Sequence, residues 1–545
     1  MTRSTRRILA GAAALVASAG ATVSLTGGSV QAHDGLNWTS IQANTDTRGY
    51  AAPNLLSPQL RESAVVQGSY KLESPVPDAQ YYGYSGDGPH VPDVLVPPGN
   101  VESTKTEPDK NTYLRMPGLK GADPSYNYGS HFLFQGHENG VTGSVTRVNL
   151  DADPAHRVTL IASKLSDGAK APAIDGSTWD PWAQRLLFTA ENGNKGAVLQ
   201  GSTEPGGSLQ DISFALGRGG YEGIQNDSAG NLLIVEDVGG ASPTGSAAKN
   251  PNSFVYRFLP ADKTDLTKGG KLQALQVFSA RTHQPITFKP VDNAANPPST
   301  GGIFTDDQKD LSNYGTTFNT TWVTVHDTAS DPSGQPFDAN ALAKAAGATP
   351  FKRPENGVFR PGTNFREFYF TATGDTNANS PANAGFGGWG GVFKLEQAAA
   401  GADTGRLSLL FRGDADHTGL DNIAFIDRDH VAVVEDRGDG LHTQHGVFDS
   451  GYLLDTQSRA GAVRPVRFLA EGRDSAATLD NELSGTPGWK NDGDNEITGI
   501  HMSDGDPTAA GILGAKPPKP FEHGWRLFWT QQHGDNVTYE ITKNS

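Results

Sequence analysis

Cysteine is absent from all 545 residues, so no disulfide holds this chain together, and thiol nucleophiles, cysteine-ligated zinc and iron–sulfur clusters are excluded. The fold must rest on packing or on metals. Positive charge is scarce as well: 44 Lys and Arg stand against 60 Asp and Glu, a formal charge of −16. Such a chain repels nucleic acid and anionic lipid, and an anionic ligand would need cations bound inside the protein to reverse the local field. No GxSxG elbow, HExxH helix or Walker loop occurs.

A long apolar run occurs only at the start. Arg3, Arg6 and Arg7 precede an uncharged stretch from Ile8 to Val23, and Val30-Gln31-Ala32 fits a small-x-small cleavage site. The expectation is a signal peptide over residues 1–32, its Arg6-Arg7 pair resembling a twin-arginine leader. The mature protein would be secreted or periplasmic, with no membrane span. Losing three arginines and no acid would move its charge from −16 to −19.

What the chain has in quantity is glycine, 66 residues, much of it in one recurring phrase. An apolar strand ends in an acid or amide, a Gly/Asp/Asn turn follows, and a second strand begins. HFLFQGHENG (from His131) leads to SVTRVNLD, RLLFTAENGNKG (from Arg185) to AVLQGS, and NLLIVEDVGG (from Asn231) to SFVYRFLP. EFYFTATGD (from Glu367) leads to GGVFKLE, HVAVVEDRGDG (from His430) to GYLLDT, and RLFWTQQHGDN (from Arg526) to VTYEI. This is hairpin chemistry repeated at propeller-blade spacing. It predicts an all-β chain: a β-propeller of six blades over residues 131–545, with loop insertions on one face and a larger one at about 261–315. Residues 33–130 are expected to form an N-terminal extension wrapping it. A β-sandwich with similar strands is the alternative.

Ahead of most of these strands stands a carboxylate: Asp175, Glu222, Glu355, Asp421 and Glu496. In a propeller the innermost strands line the central channel, so these acids would converge there. Confined carboxylates cannot all stay ionised without compensation. Several Ca²⁺ ions, which take six to eight oxygen ligands, are the expected answer; the bland alternative is that each acid caps a turn. A second set sits at strand ends: Glu138, Glu191, Glu236, Asp237, Asp375, Glu435 and Asp436. Because neighbours on a strand face opposite ways, only one of each adjacent pair can look into the channel. The alternating acids of NDGDNE, Asn491 to Glu496, resemble a short Ca²⁺ loop without the full EF-hand pattern.

Taken in order, GHENG, TAENG, YEGIQND with LLIVED, KRPENGVF, and LDNIAFID with VAVVED resemble the PhoX-type alkaline phosphatases, a family of exported bacterial β-propellers. The resemblance implies hydrolysis of small phosphomonoesters at a Ca²⁺ and Fe³⁺ cluster held by channel carboxylates; the protein is expected to be a monomer. The resemblance matches Glu222 and Glu355 to family metal ligands and Arg353 to the phosphate-facing arginine. Together with the strand pattern, the expected metal ligands are Glu138, Glu191, Glu222, Glu236, Glu355, Asp421, Glu435 and Glu496, with Arg353 and Asn192 at the phosphate. Pro354 would stiffen the segment between Arg353 and Glu355. One departure stands out: the family's Cys-Glu-Glu-Asn reads Thr189-Ala190-Glu191-Asn192 here. Losing the soft thiolate favours hard ions and departs from the family's iron site. A non-catalytic propeller clamped by Ca²⁺, or a Ca²⁺-dependent esterase or lactonase, would use the same acids.

Overall fold

The computed structural model describes residues 29–31, 37–45, 52–86, 104–138, 143–377, 380–472, 496–532 and 536–544. The expected leader, apart from Ser29–Gln31, lies outside the described residues, as does Asn491 to Asn495 of the acidic run. No helix among the described residues is long and apolar enough to cross a membrane.

Each recurring phrase forms the second strand of a four-stranded antiparallel meander, and the phrase after it forms the third. Among the described residues there are six such meanders. Their second strands are His131–His137, Arg185–Ala190, Leu232–Glu236, Glu367–Ala372, His430–Glu435 and Arg526–Gln532. The third and fourth meanders join edge to edge in one nine-stranded sheet through the long outer strand Thr317–Asp327.

The first strands form a closed ring. Pro108–Arg115 lies beside Ser177–Asp180, then come Tyr221–Asn226, Pro354–Phe359, Leu420–Phe425 and Glu496–Ser503, and the last returns to Pro108–Arg115. This is a β-propeller, with the ring lining its channel. The chain seals it early: Leu60–Val66 supplies the outer strand of the sixth meander, and Leu55–Leu56 extends the fifth. The segment expected to wrap the propeller thus contributes strands to it, including the inner strand Pro108–Arg115. The expected insertion also contains a meander strand, Gly270–Val277, before its loops and the short helix Asp306–Leu311.

Among the described residues, six apolar clusters fill the spaces between neighbouring meanders. Phe351, Phe370 and Phe393 pack with Val255 and Leu275 between the third and fourth, for instance, and Trp529, Ile500, Val434 and Phe468 between the fifth and sixth. Each such side chain contributes about 1.5–3 kcal/mol on full burial, so the inter-sheet seams carry the role that disulfides cannot.

Towards the axis the strands approach too closely for side chains at some positions. A Cβ on Gly223 would lie 2.8 Å from the Asn356 Cα and 2.9 Å from the Glu355 carbonyl oxygen of the next inner strand. Gly223→Ala is therefore expected to cost about 1–3 kcal/mol, read as a lower urea midpoint with an unchanged slope. A midpoint equal to that of the parent protein would contradict this close approach.

Candidate metal centre

The pairing register slips where the inner strands carry their acids. In the first it jumps from Pro108 to Asn111, leaving out Asp109 and Lys110; in the third, from Tyr221 to Ile224 around Glu222. In the fourth it jumps from Pro354 to Gly357 around Glu355 and Asn356, and in the fifth from Leu420 to Ile423 around Asp421 and Asn422. A bulge frees residues from the ladder and re-aims their side chains, and here it turns carboxylates towards the axis. Asp175 arrives just ahead of the second inner strand, its N–H donating to the Thr189 carbonyl at 3.0 Å.

Two groups of three acids result. Asp109, Glu138 and Asp175 offer carboxylate oxygens within 4.8 Å of one another, and so do Glu222, Glu355 and Asp421. All but the half-buried Glu138 are enclosed. Some oxygens have donors: Gln532 Nε2 reaches Asp109 at 3.0 Å, Asn356 Nδ2 reaches Glu222 at 2.9 Å, and Thr373 Oγ1 reaches Glu355 at 2.5 Å. Asn422 Nδ2 donates to Asp421 at 3.1 Å. Others have none. Glu222 Oε2 and Asp175 Oδ1, one in each group, are buried without a hydrogen-bond partner among the described residues. Donorless buried oxygens within an all-oxygen set fit a hard cation.

Burial is the first cause that raises the carboxyl groups, and neighbouring acids add to it. Glu355 is raised to about 8 and Asp421 to about 7. Asp109, Asp175 and Glu222 also lie well above the carboxylate range.

Arg353 and Lys110 enter this acid field, and Lys249 lies within reach of the charges of Asp237 and Glu355. Arg353 takes φ +54°, uncommon for a residue with a side chain, immediately before Pro354. Its Nε donates to Asp237 Oδ2 at 2.8 Å and its Nη2 lies 2.6 Å from the same oxygen. Nη1 donates to Thr376 Oγ1 at 2.8 Å, and Nη2 stands 3.6 Å from Glu355 Oε1. Lys110, the second cation, donates from Nζ to Asn356 Oδ1 at 2.7 Å.

The remaining candidates divide by strand face. Glu191 lies at the solvent-facing rim, where enclosure by the walls and then the charges of Asp237, Glu138 and Glu355 raise its carboxyl group. Asn192 is exposed in the turn that follows and caps nothing with its side chain. Glu496 opens the sixth inner strand, close enough to Asp109 to act on its charge, but falls outside the two groups of three.

Glu236 and Glu435 correct the expectation, because they face away from the channel. Glu236 accepts from Phe254 N, Tyr256 OH and Asn340 Nδ2, and Glu435 accepts from Thr418 N and pairs with Arg437 Nη2 at 2.6 Å. Their neighbours Asp237 and Asp436 act on the channel instead.

Sequence reasoning passed over Asp109, Lys110 and Asn356. Asp109 follows the same pattern as the other inner acids, but a longer connection separates it from the phrase at His131. Asn356-Gly357 has the form of a turn and is part of a strand.

Without metal, the folded chain keeps protons on Glu355 and Asp421 that the unfolded chain has released. The folded state therefore binds more protons between about pH 4.5 and about pH 8, and stability falls as pH rises through that window. The melting temperature of chelated protein is expected to drop steadily from about pH 5 to about pH 8, and saturating calcium to flatten the slope. Equal stability of chelated protein at both ends would contradict the burial of these acids.

Residues 244–512 match the family model of alkaline phosphatase PhoX. Among solved structures, Pseudomonas fluorescens PhoX in complex with vanadate, a transition state analogue, is similar at 12% identity and a TM-score of 0.52, covering 93% of this chain and 98% of that one. A luciferin-regenerating enzyme aligns at 10% identity and a TM-score of 0.35, over 80% of this chain and 92% of its own. No curated protein matches. The matched stretch, just under half of the chain, includes Arg353 and the strands bearing Glu355 and Asp421 and supports membership of the PhoX-type alkaline phosphatase family; the solved PhoX structure shares the propeller fold.

Proposed function

We propose that this protein is an exported, calcium-dependent phosphomonoester hydrolase, acting as a monomer on small phosphorylated substrates. The observation that carries this reading is the position of Arg353. Its guanidinium stands 3.6 Å from Glu355, at the edge of an acid group with donorless oxygens, and keeps 20% of its side chain exposed. A purely structural clamp has no need of a cation that stays open to solvent beside its ligands. A hydrolase that draws a phosphate dianion towards carboxylates does.

Glu222, Glu355 and Asp421 would hold one cation, and Asp109, Glu138 and Asp175 another. Calcium bound there would supply neutralisation of the phosphate and Lewis acidity towards its oxygens and towards water. Arg353 donates to the phosphoryl oxygens as negative charge builds, and the two-point contact with Asp237 fixes the plane of its fork beforehand. Asn192, exposed in the turn after Glu191, offers a neutral donor at the same mouth. No protein nucleophile is required.

The test is turnover of p-nitrophenyl phosphate with calcium and with excess EGTA. Activity lost on chelation and restored by calcium supports the reading; a calcium-loaded, folded protein without phosphatase activity leaves the scaffold or esterase alternatives. Asp237 is buried and depends on Arg353, so the conservative change is the cleaner probe. Arg353→Lys should keep the fold and metal content and lose at least about tenfold in kcat/KM, because a point charge cannot reproduce a planar fork. Arg353→Ala should lose about 10²-fold or more, with some stability. Parental kcat/KM in folded, calcium-loaded Arg353→Lys would remove Arg353 from the reaction.

A further inference from the structure

Lys110 is an unusual resident for this channel. It is 2% exposed, and among the described residues its ammonium forms no ion pair; its hydrogen bond goes to the neutral amide oxygen of Asn356 at 2.7 Å. Asn356, fully buried, is thereby oriented with its Nδ2 towards Glu222 at 2.9 Å and Asp421 at 3.5 Å. The backbone around the lysine is fixed too, since Lys110 N–H donates to Asp109 Oδ1 and its carbonyl accepts from Ser177 Oγ at 3.1 Å.

A lysine that merely neutralised one acid would pair with it. This one hydrogen-bonds an amide and leaves Glu222 Oε2 and Asp175 Oδ1 without a donor among the described residues, on side chains 5% and 4% exposed. The acids whose charges favour its protonated form come from both groups of three: Asp421 and Glu222 from one, Asp175 and Asp109 from the other. Burial lowers the proton affinity of this amine, and the surrounding acids oppose that shift.

We propose that Lys110 is a built-in cation that divides the channel acids into two separate metal sites and occupies the position where a further divalent ion would otherwise be needed. This rests on the reading of the two groups as cation sites. Six carboxylates around two divalent ions leave two negative charges within the two groups, and the lysine offsets one of them. It also limits affinity, because a fixed positive charge beside each site repels the ion that enters.

The experiment compares the parent protein, Lys110→Gln and Lys110→Arg by calcium stoichiometry after equilibrium dialysis and by melting temperature across a free-calcium titration, with no activity readout. Lys110→Gln should bind one more calcium ion per chain, or reach half-saturation at about tenfold lower free calcium. It should melt well below the parent in EGTA and recover in saturating calcium. Lys110→Arg, which keeps the charge, should retain the parental stoichiometry. Unchanged calcium binding by Lys110→Gln, or a melting deficit equal with and without calcium, overturns the proposal. So does failure of Lys110→Gln to fold in saturating calcium, since an ion is meant to substitute for the ammonium. A parent protein that binds no calcium would instead overturn the metal reading itself.

Discussion

Acids carried on neighbouring inner strands repel one another, and the rest of the channel is arranged around that repulsion. An isolated ionised carboxylate loses several kcal/mol on removal from water, and here five buried acids share one enclosure. Amide and hydroxyl donors from Gln532, Asn356, Asn422 and Thr373 relieve part of the cost. Lys110 and Arg353 relieve more. The oxygens left over point to a cation, because an isolated protein could lower its energy further by replacing these acids with apolar groups. An arrangement this costly to the empty fold makes sense where something positive binds it.

The backbone shares in the arrangement. Regular strands would place successive side chains alternately up and down the sheet, and bulges at Asp109, Glu222, Glu355 and Asp421 break that alternation where the acids must turn inward. Glycine at Gly223 lets the next inner strand approach. Apolar seams between meanders hold the ring closed against the repulsion at its centre.

The meanders were legible because their second and third strands repeat a hairpin phrase, and the inner acids because they recur ahead of it. Where the connection lengthens, as between Asp109 and His131, the recurrence is hidden although the geometry is kept. Bulges are invisible to a period-two reading, so Asn356-Gly357 has the appearance of a turn. Strand alternation says that Glu236 and Asp237 face opposite sides but not which of them looks inward. That choice depends on what each meets: Tyr256 and Asn340 outside for Glu236, and Arg353 inside for Asp237. Glu435 follows the same logic, paired with Arg437 within its own meander.

Thr189 shows how neighbouring meanders are tied together near the axis. Its hydroxyl donates to the carbonyl of Glu222 and its N–H to the carbonyl of Gly176, so it ties the second meander to the third. Thr371 makes the corresponding bond to the carbonyl of Asp421, between the fourth and fifth. A side chain committed to a neighbouring carbonyl is a strut, and it holds in place the backbone of the very residue whose carboxylate enters the acid group. The two groups of acids then present only oxygen, a set suited to hard cations and poor for soft ones.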